Sequence, residues 1–288
     1  MKIRELIHQA ARDLEAGGFP TPRLDAEVLL AHCLERDRLY LYTNAGLRLP
    51  ATEALRFLRL VSRRRQGEPV AYITGRKEFW SAVFEVDRRV LIPRPETEIL
   101  VEECLTVLDA ADSGDPRILD LGTGSGAIGV TLAAERKNAR VVATDISPEA
   151  LAVARQNARR CKVETRMAFL AGNLFAPLSG KFDMIVSNPP YISEAEHADL
   201  PADVKRYEPP LALKAGPDGM DFHREIISKS GGYLKAGGWL LLEIGAGQKE
   251  GAEALFRQAG AFDETRFRRD YAGWTRVAAA RKKRHSHG

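Results

Sequence analysis

From about residue 118 onward, short apolar runs alternate with amphipathic stretches, and this alternation restricts the fold more than any other feature. Ile118–Leu121, Val141–Thr144, Arg166–Leu170, Asp183–Ser187 and Trp239–Ile244 are rich in β-formers and are expected to be strands. Helical patterns lie between them, for instance from Pro148 to Arg159 and from Asp221 to Leu234. A strand joined to the next through a helix pairs parallel to it, and the helices cover both faces of the sheet. The expected fold class is therefore α/β, with a Rossmann-like, mostly parallel sheet. The last runs, near Thr265–Arg268 and Thr275–Ala280, are closely spaced and are expected to pair antiparallel at one edge.

The first quarter has a different period. Ile3, Leu6, Ile7, Ala10, Ala11 and Leu14 fall on one helical face, and Gly17-Gly18 ends that helix. Thr21 is the expected N-cap of a second helix with Pro22 at its first position and Leu24, Val28, Leu29 and Leu30 as its apolar stripe. A third is expected from Ala51 to Arg65, before Gly67. Between Lys77 and Ile92 the residues Phe79, Val83, Phe84, Val86, Val90 and Leu91 suggest a hairpin, with Asp87-Arg88 as its turn. The expected organisation is a helical domain over residues 1–75, a β-hairpin linker over 76–93 and an α/β domain over 94–288. A helix led in by Pro93–Glu98 is expected to run to about Leu108.

A chain of 288 residues with 44% hydrophobic and 28% charged residues has enough apolar mass for a core without staples. Cys33, Cys104 and Cys161 are far apart and show no ligand spacing, so neither a disulfide framework nor a metal site is expected. His285 and His287 are too few to argue one. Met1–Leu6 carries early charges and no apolar signal core, and no run reaches membrane-spanning length. A cytoplasmic monomer with no membrane association is the expectation. The net charge of +4 permits a nucleic-acid partner without requiring one, and the basic run Arg281–Arg284 is expected to be a solvated, disordered end.

Asp120-Leu121-Gly122-Thr123-Gly124-Ser125-Gly126 follows a strand and opens a helix, so its glycines permit a tight turn and close approach of backbone to a ligand. Asp145 closes the next strand, where a carboxylate accepts from two ribose hydroxyls. Nicotinamide dinucleotides and S-adenosylmethionine both use such a carboxylate. Asp120, just before the first glycine, suits the ammonium of a methionine moiety and would repel a pyrophosphate. Asn173, Leu174 and Phe175 follow the third strand, with Asn173 placed to accept from an adenine amine and the other two to pack on the ring.

Asn188-Pro189-Pro190-Tyr191 ends the fourth strand. Two prolines stop the ladder and stiffen the backbone that carries a polar amide and an aromatic face. The Asn188 oxygen and a backbone carbonyl can each accept one N–H of a planar NH2 group. Such a clip, at the ligand-facing end of an open α/β sheet, serves methyl transfer to nitrogen.

These residues resemble the PrmC/HemK family of protein-(glutamine) methyltransferases that modify peptide chain release factors. The likeness extends over nearly the whole chain. It includes Gly67–Gly75, Leu91–Glu98, Asp120–Gly126, Asn188–Ile192, Tyr207–Pro209 and Asp270–Gly273. It implies a class I S-adenosylmethionine methyltransferase fold, with that cofactor as donor and S-adenosylhomocysteine as product. It implies that the acceptor is the glutamine of the Gly-Gly-Gln loop of class 1 release factors, and that the helical domain helps to hold them. The family usually has an aspartate where Asn173 stands; asparagine still accepts through its oxygen.

An amide nitrogen is a poor nucleophile, and only His197 lies near the motif, so alignment is the expected device rather than a general base. Asn188 and the Pro189 carbonyl would hold the two N–H bonds, Tyr191 would pack on the amide, and Pro190, Arg94 and Glu96 would wall the site. A nucleic-acid amino-methyltransferase would use the same clip and donor. Against it, the first seventy residues lack a nucleic-acid module and the basic residues are not interleaved with exposed aromatics, so no nucleic acid is needed.

Overall fold

The computed structural model describes residues 1–111, 114–176 and 178–284. In chain order the elements are α1 (Ile3–Ala16), α2 (Pro22–Leu34), α3 (Arg38–Thr43), α4 (Ala51–Arg65), α5 (Val70–Thr74), β1 (Arg76–Phe79), β2 (Ala82–Glu85), α6 (Thr97–Ala110), β3 (Arg117–Leu121), α7 (Ala127–Glu135), β4 (Arg140–Asp145), α8 (Pro148–Arg160), β5 (Met167–Ala171) and β6 (Phe182–Ser187). They continue with α9 (Glu194–Asp199), α10 (Ala202–Tyr207), α11 (Asp221–Ser230), β7 (Leu234–Glu243), α12 (Lys249–Ala259), β8 (Phe262–Arg269) and β9 (Thr275–Lys282). Contacts divide them into two units, residues 1–76 with 201–207, and residues 77–200 with 208–288.

The first unit is helical. Ile3, Leu6, Leu14, Leu29, Leu30 and Phe57 are wholly buried in its core. The stripe expected on α2 is displaced: Leu24 is exposed, whereas Asp25 and Glu27 are buried. Both acids are paired. Glu27 accepts from Arg23, Arg38 and the Tyr42 hydroxyl, and Asp25 meets buried Arg64 at 2.7 Å. A buried carboxylate is tolerated only with such partners. Thr21 precedes α2 but does not cap its backbone; its hydroxyl donates to Asp25. The segment of residues 201–207 joins this unit through Tyr207, whose hydroxyl donates to the Gln66 carbonyl at 3.0 Å. Nothing local in the sequence marks that return.

In the second unit, seven strands among the described residues form one sheet in the order β5-β4-β3-β6-β7-β9-β8. The first five are parallel, and β9 inserts antiparallel between β7 and edge strand β8. Side chains alternate across the sheet. Ile118, Val141 and Met184 face the core containing α6 and α7, and Leu119, Ile185 and Leu240 face the core containing α11 and α12. The order reverses between β3 and β6, which run outward in opposite directions along the sheet. In an open α/β sheet the carboxyl ends at such a reversal form the ligand crevice.

Two expectations are corrected here. The hairpin reverses at Trp80-Ser81, both at positive φ, while Asp87 begins a separate turn closed by its carbonyl with the Val90 amide. Trp and Ser are poor signals for that turn, which favours Asn and Gly. The hairpin is also no free linker: Phe79 and Phe84 are buried in the second unit's core, and both amide ends of Asn157 bond the Glu85 backbone. The basic run at the end is partly strand rather than disordered. Arg281 and Lys282 complete β9, with Arg281 paired to Asp263 and Lys282 donating to the Gly231 and Leu234 carbonyls. His285 and His287 lie outside the described residues.

Candidate active site

A cavity of about 450 Å³ opens at the reversal point. Its wall includes Gly122–Ser125 after β3, Asp145 after β4, Asn173 and Leu174 after β5, and Asn188, Pro189 and Pro190 after β6. Arg94 and Thr97 close it from the start of α6.

The glycine loop is shaped from beneath. Gly122, Gly124 and Gly126 all have positive φ, which only glycine adopts without strain. An added Cβ at Gly122 or Gly124 would meet no protein atom within 4 Å, whereas one at Gly126 would stand 3.1 Å from Ala154 Cβ. The first two glycines therefore leave ligand space, and the third lets α7 pack against α8. Gly126 is accordingly not part of the cavity wall.

Asp120 lies under the loop, not on it. It is wholly buried and absent from the wall; its Oδ2 accepts from the Thr123 hydroxyl at 2.6 Å and the Gly129 amide at 3.0 Å. Oδ1 has no protein partner. Burial pushes its carboxyl up to about 6, against the two hydrogen bonds, and the Asp145 charge adds to the rise. Asp145 does reach the cavity. It accepts from the Gly124 and Ser147 amides at 2.9 Å each, so it ties the loop to the end of β4. Burial raises its carboxyl, opposed by these amides. Each carboxylate oxygen keeps further acceptor capacity toward the cavity.

Leu174 lines the cavity at a positive φ of 45°, a conformation a branched side chain adopts only under constraint. Phe175, expected beside it, is instead buried and stacked on Tyr233 with ring centroids 4.6 Å apart.

At the clip, the Asn188 Nδ2 donates to Thr97 Oγ1 at 3.1 Å. That turns the amide so that Oδ1 is the end left to accept. Tyr191 does not share the wall. Its hydroxyl lies 3.4 Å from Glu243 Oε1, and burial, reinforced by that carboxylate, raises the phenol. Arg94 pairs at 2.6 Å with Glu208 rather than with Glu96, and Glu96 is not on the wall. His197, in α9, is not on it either.

Two residues at the site escaped sequence reasoning. Thr97 follows Glu96 in the Pro-rich run, and Glu243 ends the apolar strand β7. The signal for Glu243 was the one used for Asp120 and Asp145, a lone carboxylate at the carboxyl end of a strand.

The family described as PrmC N-terminal domain matches residues 5–75, and the methyltransferase small domain matches residues 96–205. The release factor glutamine methyltransferase of Moorella thermoacetica is 45% identical over 281 residues, covering 97% of this chain and 98% of that one. The chain belongs to the release factor glutamine methyltransferase family. The member from Koribacter versatilis is 41% identical over 98% of this chain and 99% of its own. A methyltransferase from Pyrococcus furiosus shares the class I fold, at a TM-score of 0.50 and 20% identity over 77% of this chain and 97% of that one.

As a member of the release factor glutamine methyltransferase family, the chain is an S-adenosylmethionine-dependent enzyme. Its cavity fits that donor: a side-chain-free loop, a carboxylate with spare acceptor capacity and an apolar flank at Leu174 lie on one wall. No helix among the described residues is long and apolar enough to cross a membrane, and no described cluster of three or more His, Cys, Asp or Glu could hold a metal.

Proposed function

We propose that this chain methylates the side-chain amide nitrogen of the glutamine in the Gly-Gly-Gln loop of class 1 peptide chain release factors, in the cytoplasm and as a monomer. The observation that carries the reading is Asn188, fixed by Thr97 with its oxygen free to accept, on the same wall as the glycine loop and Asp145.

When bound, S-adenosylmethionine supplies an electrophilic methyl group on a sulfonium. Asp145 would accept from the ribose hydroxyls, and the backbone of Gly122–Gly126 would lie along the methionine portion with Thr123 and Ser125. Asn173 would accept from the adenine amine beside Leu174. Asp120 contributes by holding Thr123 and Gly129, and so the loop's shape, from below.

Asn188 Oδ1 and the Pro189 carbonyl would each accept one N–H of the acceptor amide. Held that way, the nitrogen lone pair is aimed at the methyl, and the two acceptors stabilise positive charge as it develops. Pro190 stiffens the clip, and Tyr191 supports it from behind. Arg94, anchored by Glu208, forms part of the wall; Glu96 acts at a greater remove. The helical unit of residues 1–76, with 201–207, would contribute to holding the release factor. The proton leaves after transfer, so no base is required.

Mass spectrometry of a class 1 release factor incubated with protein and donor tests this. One methyl group on the glutamine of the Gly-Gly-Gln peptide is expected. Transfer to an oligonucleotide amine, with the release factor unmodified, would overturn it.

A further inference from the structure

Strands β6 and β7 are parallel, with Ser187 opposite Leu242. The next residues, Asn188 and Glu243, therefore leave the sheet side by side. Glu243 is 1% exposed, an unusual place for a carboxylate. Tyr191 and Thr97 both hydrogen-bond to it, while Oε2 is buried without a hydrogen-bond partner. Arg276 acts on it by charge but is itself bonded to Asp270 at 2.9 Å.

We infer that Glu243 is a positioning residue: acting through the Thr97 hydroxyl, it sets which end of the Asn188 amide faces the acceptor. The inference rests on the function proposed above. A hydroxyl has one proton to give, and an ionised carboxylate only accepts. Thr97 therefore donates to Glu243, and its oxygen is left to accept from Asn188 Nδ2 at 3.1 Å. A half-turn exchanges the two ends of an amide, so the partner decides between them. With Glu243 ionised, Oδ1 faces the acceptor. A protonated Glu243 donates to Thr97 instead, which frees the Thr97 proton for Oδ1. The amide then turns over and presents NH2 against the NH2 of the substrate.

The groups facing Glu243 come from several elements. Tyr191 lies on the loop after β6, Glu96 at the start of α6 and Arg276 on β9, and His223 of α11 meets the Glu243 main-chain oxygen through Nε2 at 2.9 Å. Burial outweighs the Thr97 bond and the Arg276 charge and lifts the Glu243 carboxyl to about 7. The ordering of Asn188 is thus present above neutrality and lost as pH falls through it.

The test compares full-length Glu243→Gln, Thr97→Val and Thr97→Ser with wild type, using Asn188→Ala as the reference for a lost clip. Glu243→Gln and Thr97→Val should lower kcat on release factor by about 10–100-fold and leave the S-adenosylmethionine Kd within about twofold. Thr97→Ser, which keeps the hydroxyl, should stay near wild type. The wild-type rise in kcat across neutral pH should be absent in Glu243→Gln. An unchanged kcat and pH profile in Glu243→Gln, with Asn188→Ala inactive, would overturn the positioning role and leave the proposed function standing. An active Asn188→Ala would overturn both. Cofactor affinity and melting temperature falling together with kcat in both Glu243→Gln and Thr97→Val would mark Glu243 as merely structural and also overturn the inference.

Discussion

Gly129 in α7 lies directly against the carboxylate of Asp120 at the end of β3. Its amide donates to Oδ2 at 3.0 Å, and a methyl group on its Cα would stand 2.7 Å from the same oxygen. The contact joins the floor of the glycine loop to the helix that follows it. Asp120 is wholly buried, so its carboxylate has no solvent to retreat into.

Gly129→Ala should therefore destabilise the protein. At an ordinary helix position the change would help by about 1 kcal/mol, through helix propensity. Here overpacking and a strained Asp120 bond should reverse the sign, for a net loss of about 1–3 kcal/mol. Urea denaturation of the ligand-free protein reads this directly. A higher midpoint in the variant would show that the carboxylate can move aside.

The same carboxylate should make stability depend on pH. Its folded value of about 6 lies above the ordinary 3.8, so the folded state binds this proton more tightly than the unfolded chain does. The stability it contributes is full below 3.8 and is lost as pH rises through about 6. Relative to Asp120→Asn, wild type should lose on the order of 1–3 kcal/mol between about pH 4 and 7. Other carboxylates titrate alike in both proteins and cancel in the difference. Parallel stability curves would refute the claim.

Much of this site was legible because its parts sit at strand ends, and strand ends were readable from the β-α alternation. Asp145, Asn173 and Asn188 reach one cavity for that reason alone. What sequence could not supply was the direction of side chains in loops. Tyr191, two residues beyond Pro189, turns to Glu243, and Phe175 turns into the core while Leu174 faces the cavity. Nor could it supply register. Thr97, Asn188 and Glu243 are separated by long stretches of chain and meet only because β6 pairs with β7 beside the start of α6. In the first unit, buried Asp25 and Glu27 occupy positions that periodicity would assign to solvent, because Arg64 and Arg38 come from other helices to pair with them.

Asp145→Ala should weaken S-adenosylmethionine binding by roughly 10–100-fold, the loss of charge-assisted hydrogen bonds worth about 1.5–3 kcal/mol. The Gly124 amide, which now donates to Asp145, would also lose the partner that holds the loop. Calorimetry on the folded variant measures this. An unchanged Kd would remove Asp145 from the cofactor site.

Asn188→Ala should spare cofactor binding, because the glycine loop and Asp145 lie on β3 and β4. It should lower kcat by on the order of 10²–10³, the scale for losing one preorganised polar contact to developing charge. Asn188→Asp should fall between alanine and wild type. A carboxylate still accepts from the acceptor NH2, but it cannot donate to Thr97, and it competes with Glu243 for the single Thr97 proton. Steady-state kinetics on release factor, with Kd for the donor measured in parallel, separate the two effects. If the alanine variant turned over at the wild-type rate, Asn188 would have no part in aligning the acceptor, and the two prolines after it would be only the end of a strand.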